Sequence, residues 1–342
     1  MKEIATYVSH VQEGILLNAN EYSANVSGEL MVKIQAAVAQ VMLNHYPDTS
    51  QEALLETYGK IIGLGKEMLL AGNGSDQMLG YLIGTYLGKG KTLFTLSPDF
   101  SMYDYYATSY EASVVRFATQ EDGSFDVDRF IQAGKDAKAS MIMFSNPNNP
   151  TGHLVTLPEV EKIALAFQEI PVVCDEAYVE FADQPSAVQI LPAHANLFVT
   201  RTLSKAYGLA GLRVGFLCGN LEPMKELKAS FVPYALNSVS MKIAETVLKE
   251  GEAADQRIAL IKQEREVMLD YLKGCAKLQV FASQANFIYG KSMQKESLLA
   301  AFKHAGIVIR DYAGTEYFRI TIGLPQENEA VRKVIAEFEG GK

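Results

Sequence analysis

Between Thr92 and Leu217, short apolar runs alternate with segments of helical pattern, and this alternation narrows the possible folds most. The runs Thr92–Leu96, Ser113–Phe117, Met141–Phe144, Val172–Cys174, Leu197–Thr200 and Val214–Leu217 read as strands. Stretches 102–110, 126–138 and 156–169 read as helices. Strands this apolar have no face to give to water, so both faces must be covered, with helices as crossovers. The expectation is an α/β fold with a mostly parallel central sheet and helices on both faces.

Flanking segments complete the plan. Residues 28–43 place Leu30, Ile34, Val38, Val41 and Met42 on one helical face. A helical pattern from Val239 to about Lys273 is long enough for a spine between two units. Beyond it, strands Leu278–Phe281, Asn286–Tyr289, Ile307–Arg310 and Tyr317–Ile322 mix with helices at 295–304 and 326–338. The expected organisation is an arm (1–27), a large domain (28–238), and the spine with a small α+β domain (239–342), to which the arm contributes. Asn18-Ala19-Asn20-Glu21 in the arm has loop chemistry.

The formal net charge of −9 argues against nucleic acid or an anionic membrane as partner. Cys174, Cys218 and Cys275 are scattered, which suits a reducing compartment and offers no metal or disulfide framework. No basic-capped apolar leader and no run of ~18 apolar residues is evident, so the cytoplasm is the expected location.

Four motifs fall at strand ends or helix starts, where open α/β sheets build sites. Gly72-Asn73-Gly74-Ser75-Asp76 turns sharply into a helix through Met78, Leu82 and Tyr86, with Ser75 or Asp76 as N-cap. Free N–H groups at such a start bind phosphate. Asn146-Pro147-Asn148-Asn149-Pro150-Thr151-Gly152 follows a strand, and its prolines stiffen the loop so that Asn149 can donate to a ligand oxygen. A rigid self-capped turn is the plainer reading of the same residues. Asp175-Glu176-Ala177-Tyr178 puts a carboxylate at the mouth of a buried strand, a costly position unless a cation pairs with it or it caps a helix. The segment Thr202-Leu203-Ser204-Lys205, with Arg213 eight positions on, surrounds one amine with hydroxyls and a bidentate anion donor. Lys205 suits a Schiff base to an aldehyde cofactor; alone, it also suits a solvated loop. Together the four motifs supply every part that pyridoxal 5′-phosphate requires.

In these motifs the chain resembles the class I/II aminotransferases of the fold-type I pyridoxal-phosphate enzymes, and within them the histidinol-phosphate aminotransferase branch. The resemblance extends through Leu17-Asn18-Ala19-Asn20-Glu21-Tyr22, His45-Tyr46-Pro47, Pro98-Asp99-Phe100-Ser101-Met102-Tyr103, Ile309-Arg310-Asp311 and Phe318-Arg319-Ile320-Thr321-Ile322-Gly323. It implies that Lys205 tethers the cofactor and shuttles a proton between the substrate α-carbon and cofactor C4′. It implies that Asp175 pairs with the pyridine nitrogen, and that Asn149 and Tyr178 bond the ring hydroxyl. Ser75 and Asp76 N–H groups, Thr202, Ser204 and Arg213 would hold the phosphate, and Phe100 would stack on the ring. Arg319 would clamp the donor α-carboxylate, while Arg310 and Tyr7 would bind a substrate phosphate. Tyr46 would reach the neighbouring subunit's cofactor, which implies a homodimer. The chain departs from the family pattern at His45, Gln77 and Leu324, none of them a cofactor ligand.

The implied reaction is ping-pong transfer of an amino group from glutamate to imidazole acetol phosphate. Two alternatives use the same motifs: an aromatic or broad-range aminotransferase, and a decarboxylase of a phosphorylated amino acid such as threonine phosphate. A catalytically silent cofactor-binding module is disfavoured by the presence of both Lys205 and Asp175.

Overall fold

The computed structural model describes residues 13–340; Tyr7 of the arm lies outside them. Strand β1 (Ile15–Leu17) precedes helices α1 (Gly28–Val38) and α2 (Glu52–Ile62). Then come β2 (Leu69–Asn73), α3 (Gly74–Tyr86), β3 (Thr92–Ser97), α4 (Met102–Ser109), β4 (Ser113–Ala118), α5 (Val127–Asp136) and β5 (Met141–Ser145). They are followed by α6 (Leu157–Ala166), β6 (Val172–Asp175), β7 (Leu197–Thr202), β8 (Val214–Gly219), α7 (Leu221–Ser230), α8 (Ser238–Leu248) and α9 (Gly251–Lys273). The chain ends with β9 (Gln279–Val280), β10 (Phe287–Lys291), α10 (Lys295–His304), β11 (Ile307–Asp311), β12 (Tyr317–Thr321) and α11 (Pro325–Gly340).

The larger sheet runs β2-β8-β7-β6-β5-β3-β4. Pairs from β7 through β4 are parallel, as expected from the strand–helix alternation. Strand β8 is antiparallel to both β7 and β2. Only residues 203–213 separate β7 from β8, too few for a crossover helix, so the chain must return antiparallel. Two reversals leave β2 running in the same sense as β7. The C-terminal ends of β2, β5, β6 and β7 therefore meet at one edge of the sheet.

Alternation along the strands serves two cores. Ile142, Phe144, Val172 and Cys174 pack into one, and Met141, Met143 and Val173 into the other. The smaller sheet runs β1-β11-β12-β10-β9, with β1 parallel to β11. The arm thus supplies an edge strand, and the chain after Leu17 is aimed across the end of β12.

Three expectations need correction. The spine is two helices, α8 and α9, broken at Lys249–Glu250. Gly251 at the first turn and three charged residues at 249, 250 and 252 explain why helical periodicity alone overran the break. Residues 39–43 do not continue α1, whose C-cap is Ala39. The N-cap of α3 is Asn73, not Ser75 or Asp76. Among the described residues no helix is long and apolar enough to cross a membrane.

Candidate active site

At the shared strand-end edge, Lys205 follows β7, Asp175 ends β6, and Asn149 follows β5. Lys205 is half-buried, and its Nζ donates to the backbone oxygen of Ala19 in the arm at 2.8 Å. Burial is the largest influence on it and lowers its pKa to about 8. Arg319 is the larger of the neighbouring positive charges, with Arg213 contributing less. Burial and Arg319 therefore set the shift, and Arg213 is a minor influence.

Asp175 is only 3% exposed. The Thr200 hydroxyl donates to its Oδ1 at 2.7 Å and the Tyr103 hydroxyl to its Oδ2 at 2.9 Å. Both donors are neutral. Burial outweighs them and lifts Asp175 from 3.8 to about 6, a balance of ~3 kcal/mol against the carboxylate. A ligand cation at this carboxylate would reverse that balance. Neither Tyr103 nor Thr200 was assigned this role by sequence reasoning. Thr200 was within reach, because it shares a strand face with Thr202. Tyr103 was not, because its contact crosses 72 residues.

The anion cradle lies between α3 and the β7–β8 connection. Ser75 and Asp76 sit in the first turn of α3, where N–H groups have no intrahelical acceptor. Gln77 closes this turn, its Oε1 accepting the Asn73 N–H at 2.6 Å. Thr202 donates to Ser204 Oγ at 2.9 Å, and Arg213 Nη1 approaches the same oxygen at 3.4 Å. Arg213 Nη2 pairs with the Asp76 carboxylate at 2.8 Å. A methyl group on Gly215 would lie 2.2 Å from Ser75 N, so only glycine lets β8 pass this close to the helix start. Arg213 itself is held at φ +55°, a strained conformation for a branched or bulky chain.

Arg319 on β12 is 6% exposed. It bonds Asn149 Oδ1 through Nη1 and Asn18 O through Nη2, the latter at 2.9 Å. Its guanidinium lies 4.9 Å from the centre of the Phe287 ring, and its buried Nε has no hydrogen-bond partner among the described residues. Arg310 on β11 stands opposite Arg319 in register. Opposed residues of an antiparallel pair share a face, with Cβ atoms about 5 Å apart. Tyr178 is buried and accepts from Asn20 Nδ2 at 3.0 Å. Phe100 packs edge-on against Tyr103 at 5.7 Å. Tyr46 stands apart: it is 81% exposed and stacks on Tyr234 at 4.7 Å.

These residues fit pyridoxal 5′-phosphate. A buried carboxylate lacks a cation, a glycine-tight helix start faces two hydroxyls and a guanidinium, and an amine is poised by burial. No cluster of His, Cys, Asp or Glu suited to a metal ion occurs among the described residues.

Comparison with known proteins agrees. The family model described as aminotransferase class I and II matches residues 12–335. A histidinol-phosphate aminotransferase of Clostridium kluyveri is 35% identical over 93% of this chain and 91% of its own length. One from Chlorobium chlorochromatii is 31% identical over 98% and 94% respectively. Among solved structures, histidinol-phosphate aminotransferase from Clostridium acetobutylicum superposes with a TM-score of 0.86 at 22% identity, covering 96% of this chain and 100% of that one. The enzyme from Sinorhizobium meliloti, in complex with pyridoxal 5′-phosphate, gives 0.85 at 21% over 95% and 92%. L-threonine-O-3-phosphate decarboxylase from Porphyromonas gingivalis gives 0.80 at 21% over 95% and 99%, so the architecture alone does not select the reaction. With a family match across nearly all its length and relatives above the level at which descent is plain, the chain belongs to the class I and II aminotransferases.

Proposed function

We propose that this enzyme is a pyridoxal-phosphate aminotransferase that moves an amino group between glutamate/2-oxoglutarate and imidazole acetol phosphate/histidinol phosphate. The carrying observation is the Arg319 guanidinium, bonded to Asn149 Oδ1 and close enough to Lys205 to lower its pKa, with Arg310 opposite it in register on β11. A guanidinium fork suits a substrate carboxylate, and a second guanidinium on the same face suits a phosphate. Relatives named for histidinol phosphate support the same substrate.

When bound, the cofactor supplies an electron sink for the substrate α-carbon. Asp175 would pair with the ring nitrogen and, as the carboxylate, would keep it protonated. Asn149 and Tyr178 would hold the ring through its hydroxyl, and Phe100 would stack on it. The α3 N–H groups of Ser75 and Asp76, with Thr202, Ser204 and Arg213, hold the phosphate. Arg319 holds the substrate carboxylate bidentately; Arg310 and Tyr7 take the substrate phosphate. Lys205 carries the proton to and from the α-carbon, and its lowered pKa lets it do so near neutral pH.

The arm, the large unit (28–238) and the smaller unit (239–342) are proposed as the working parts, in a cytoplasmic homodimer whose Tyr46 reaches the partner's site. Assay of imidazole acetol phosphate against phenylpyruvate, with glutamate as donor, tests the substrate. Preference for phenylpyruvate would move the enzyme to the aromatic class. Release of CO2 from threonine phosphate without 2-oxoglutarate formation would move it to the decarboxylases.

A further inference from the structure

The cofactor and substrate contacts leave Asn20 without a part, yet this arm residue is 1% exposed and every polar atom it has is bonded. Its N–H donates to Thr321 Oγ1 at 3.0 Å, and its carbonyl accepts from Asn286 Nδ2 at 3.1 Å. Its Oδ1 accepts from Thr321 Oγ1 at 3.0 Å, and its Nδ2 donates to the Tyr178 hydroxyl oxygen at 3.0 Å. The direction of each bond follows from the one before it. Thr321 Oγ1 accepts the backbone N–H, so its single proton goes to the Asn20 amide oxygen. That contact turns the amide so that its NH2 faces Tyr178. A phenol oxygen that accepts from an amide keeps its own proton to give elsewhere.

The groups facing Tyr178 are Asp175, Arg319, Tyr312 and Lys205, whose Nζ lies 5.9 Å from the ring centre. Burial raises the phenol to about 12, so the proton in question is present at neutral pH. Asn20 has φ +57°, a conformation that asparagine and glycine accept most readily. The neighbouring arm residues serve the site too: Asn18 O takes Arg319 and Ala19 O takes Lys205.

We propose that Asn20 is a positioning residue that fixes the direction of the Tyr178 hydroxyl, committing Tyr178 to donate to the cofactor's ring oxygen. The proposal rests on the functional reading, which sets that oxygen beside Tyr178. A donor at the ring oxygen favours the deprotonated chromophore and lowers its apparent pKa.

The test is a visible-absorption pH titration of the cofactor-loaded protein. Asn20→Asp offers Tyr178 an acceptor in place of a donor and draws its proton away. The chromophore's apparent pKa then rises by about 1, a tenfold change in proton affinity. Asn20→Gly suits the backbone, removes the donor without adding charge, and gives a smaller rise. In a Tyr178→Phe background the Asn20→Gly rise vanishes and the Asn20→Asp rise shrinks to the effect of its charge alone. A rise of the same size with and without Tyr178, or no rise in a variant of normal circular dichroism, overturns the proposal. If Asn20→Asp does not fold, Asn20→Gly decides the question by the same criteria; loss of folding in both assigns Asn20 to stability alone and also overturns it. A wild-type chain with no titrating cofactor band removes the functional reading, and the proposal with it.

Discussion

Lys205 and Asp175 are opposite cases of one effect: burial disfavours charge, so the amine falls to about 8 and the carboxylate climbs to about 6. For the amine, the neutral form is the working base. The rate of the glutamate half-reaction should therefore rise with pH through about 8 and level off above it. Stopped-flow bleaching of the cofactor band measures this. Lys205→Ala should abolish turnover and the borohydride-stable attachment of cofactor; a fixed adduct elsewhere would refute the assignment. For the carboxylate, Tyr103 supplies one of two hydroxyl donors at 2.9 Å. Tyr103→Phe leaves the ring packing and removes about 1 kcal/mol of support, so cofactor affinity should fall several-fold, most clearly as pH drops toward 6. Fluorescence titration reads this. Arg310→Ala should weaken the phosphorylated substrate at least tenfold more than glutamate in kcat/KM; equal losses would make Arg310 structural.

The elements explain why these residues meet. Because β8 returns antiparallel, the cradle is built where β8 brushes the start of α3, and Gly215 leaves 2.2 Å between a notional methyl and Ser75 N. Gly215→Ala must push the helix start away from Ser204 and Arg213. Overpacking of this kind costs about 1–3 kcal/mol. The expected result is a cofactor Kd raised roughly tenfold or more, with turnover restored by excess cofactor. Unchanged affinity, by equilibrium dialysis, would show that the cradle lies elsewhere. The small sheet has its own role in placing the site. Pairing of β1 with β11 is what carries Asn18-Ala19-Asn20 past Arg319, Lys205 and Tyr178.

For the molecule as a whole, an exposed apolar surface remains around Tyr46. Leu43 is 79% exposed, near Met42 and Tyr46, and Val232 and Tyr234 join them through the Tyr46–Tyr234 stack. In the proposed homodimer this surface would be the contact across the two-fold axis. Leu43→Glu should convert a dimer to monomer in analytical ultracentrifugation and reduce activity, since Tyr46 would lose the partner site. A monomeric wild type of full activity would contradict shared sites.

Sequence alone determined the strand–helix order from β3 to β8, the parallel set β3 to β7 and the cofactor motifs, because strand period, glycine turns and a lysine among hydroxyls are local chemistry. It could not reveal β1 and β2 as strands. β1 is three residues long and β2 merges into a glycine turn, so neither builds a pattern before tertiary pairing fixes it. Nor could it foresee the break between α8 and α9, or that a plain loop at Asn18–Asn20 threads the site. Those facts depend on contacts between residues hundreds of positions apart, such as Asn20 with Thr321. Such contacts exist only once the two sheets have folded against each other, when burial makes each unpaired polar atom costly enough to dictate its partner.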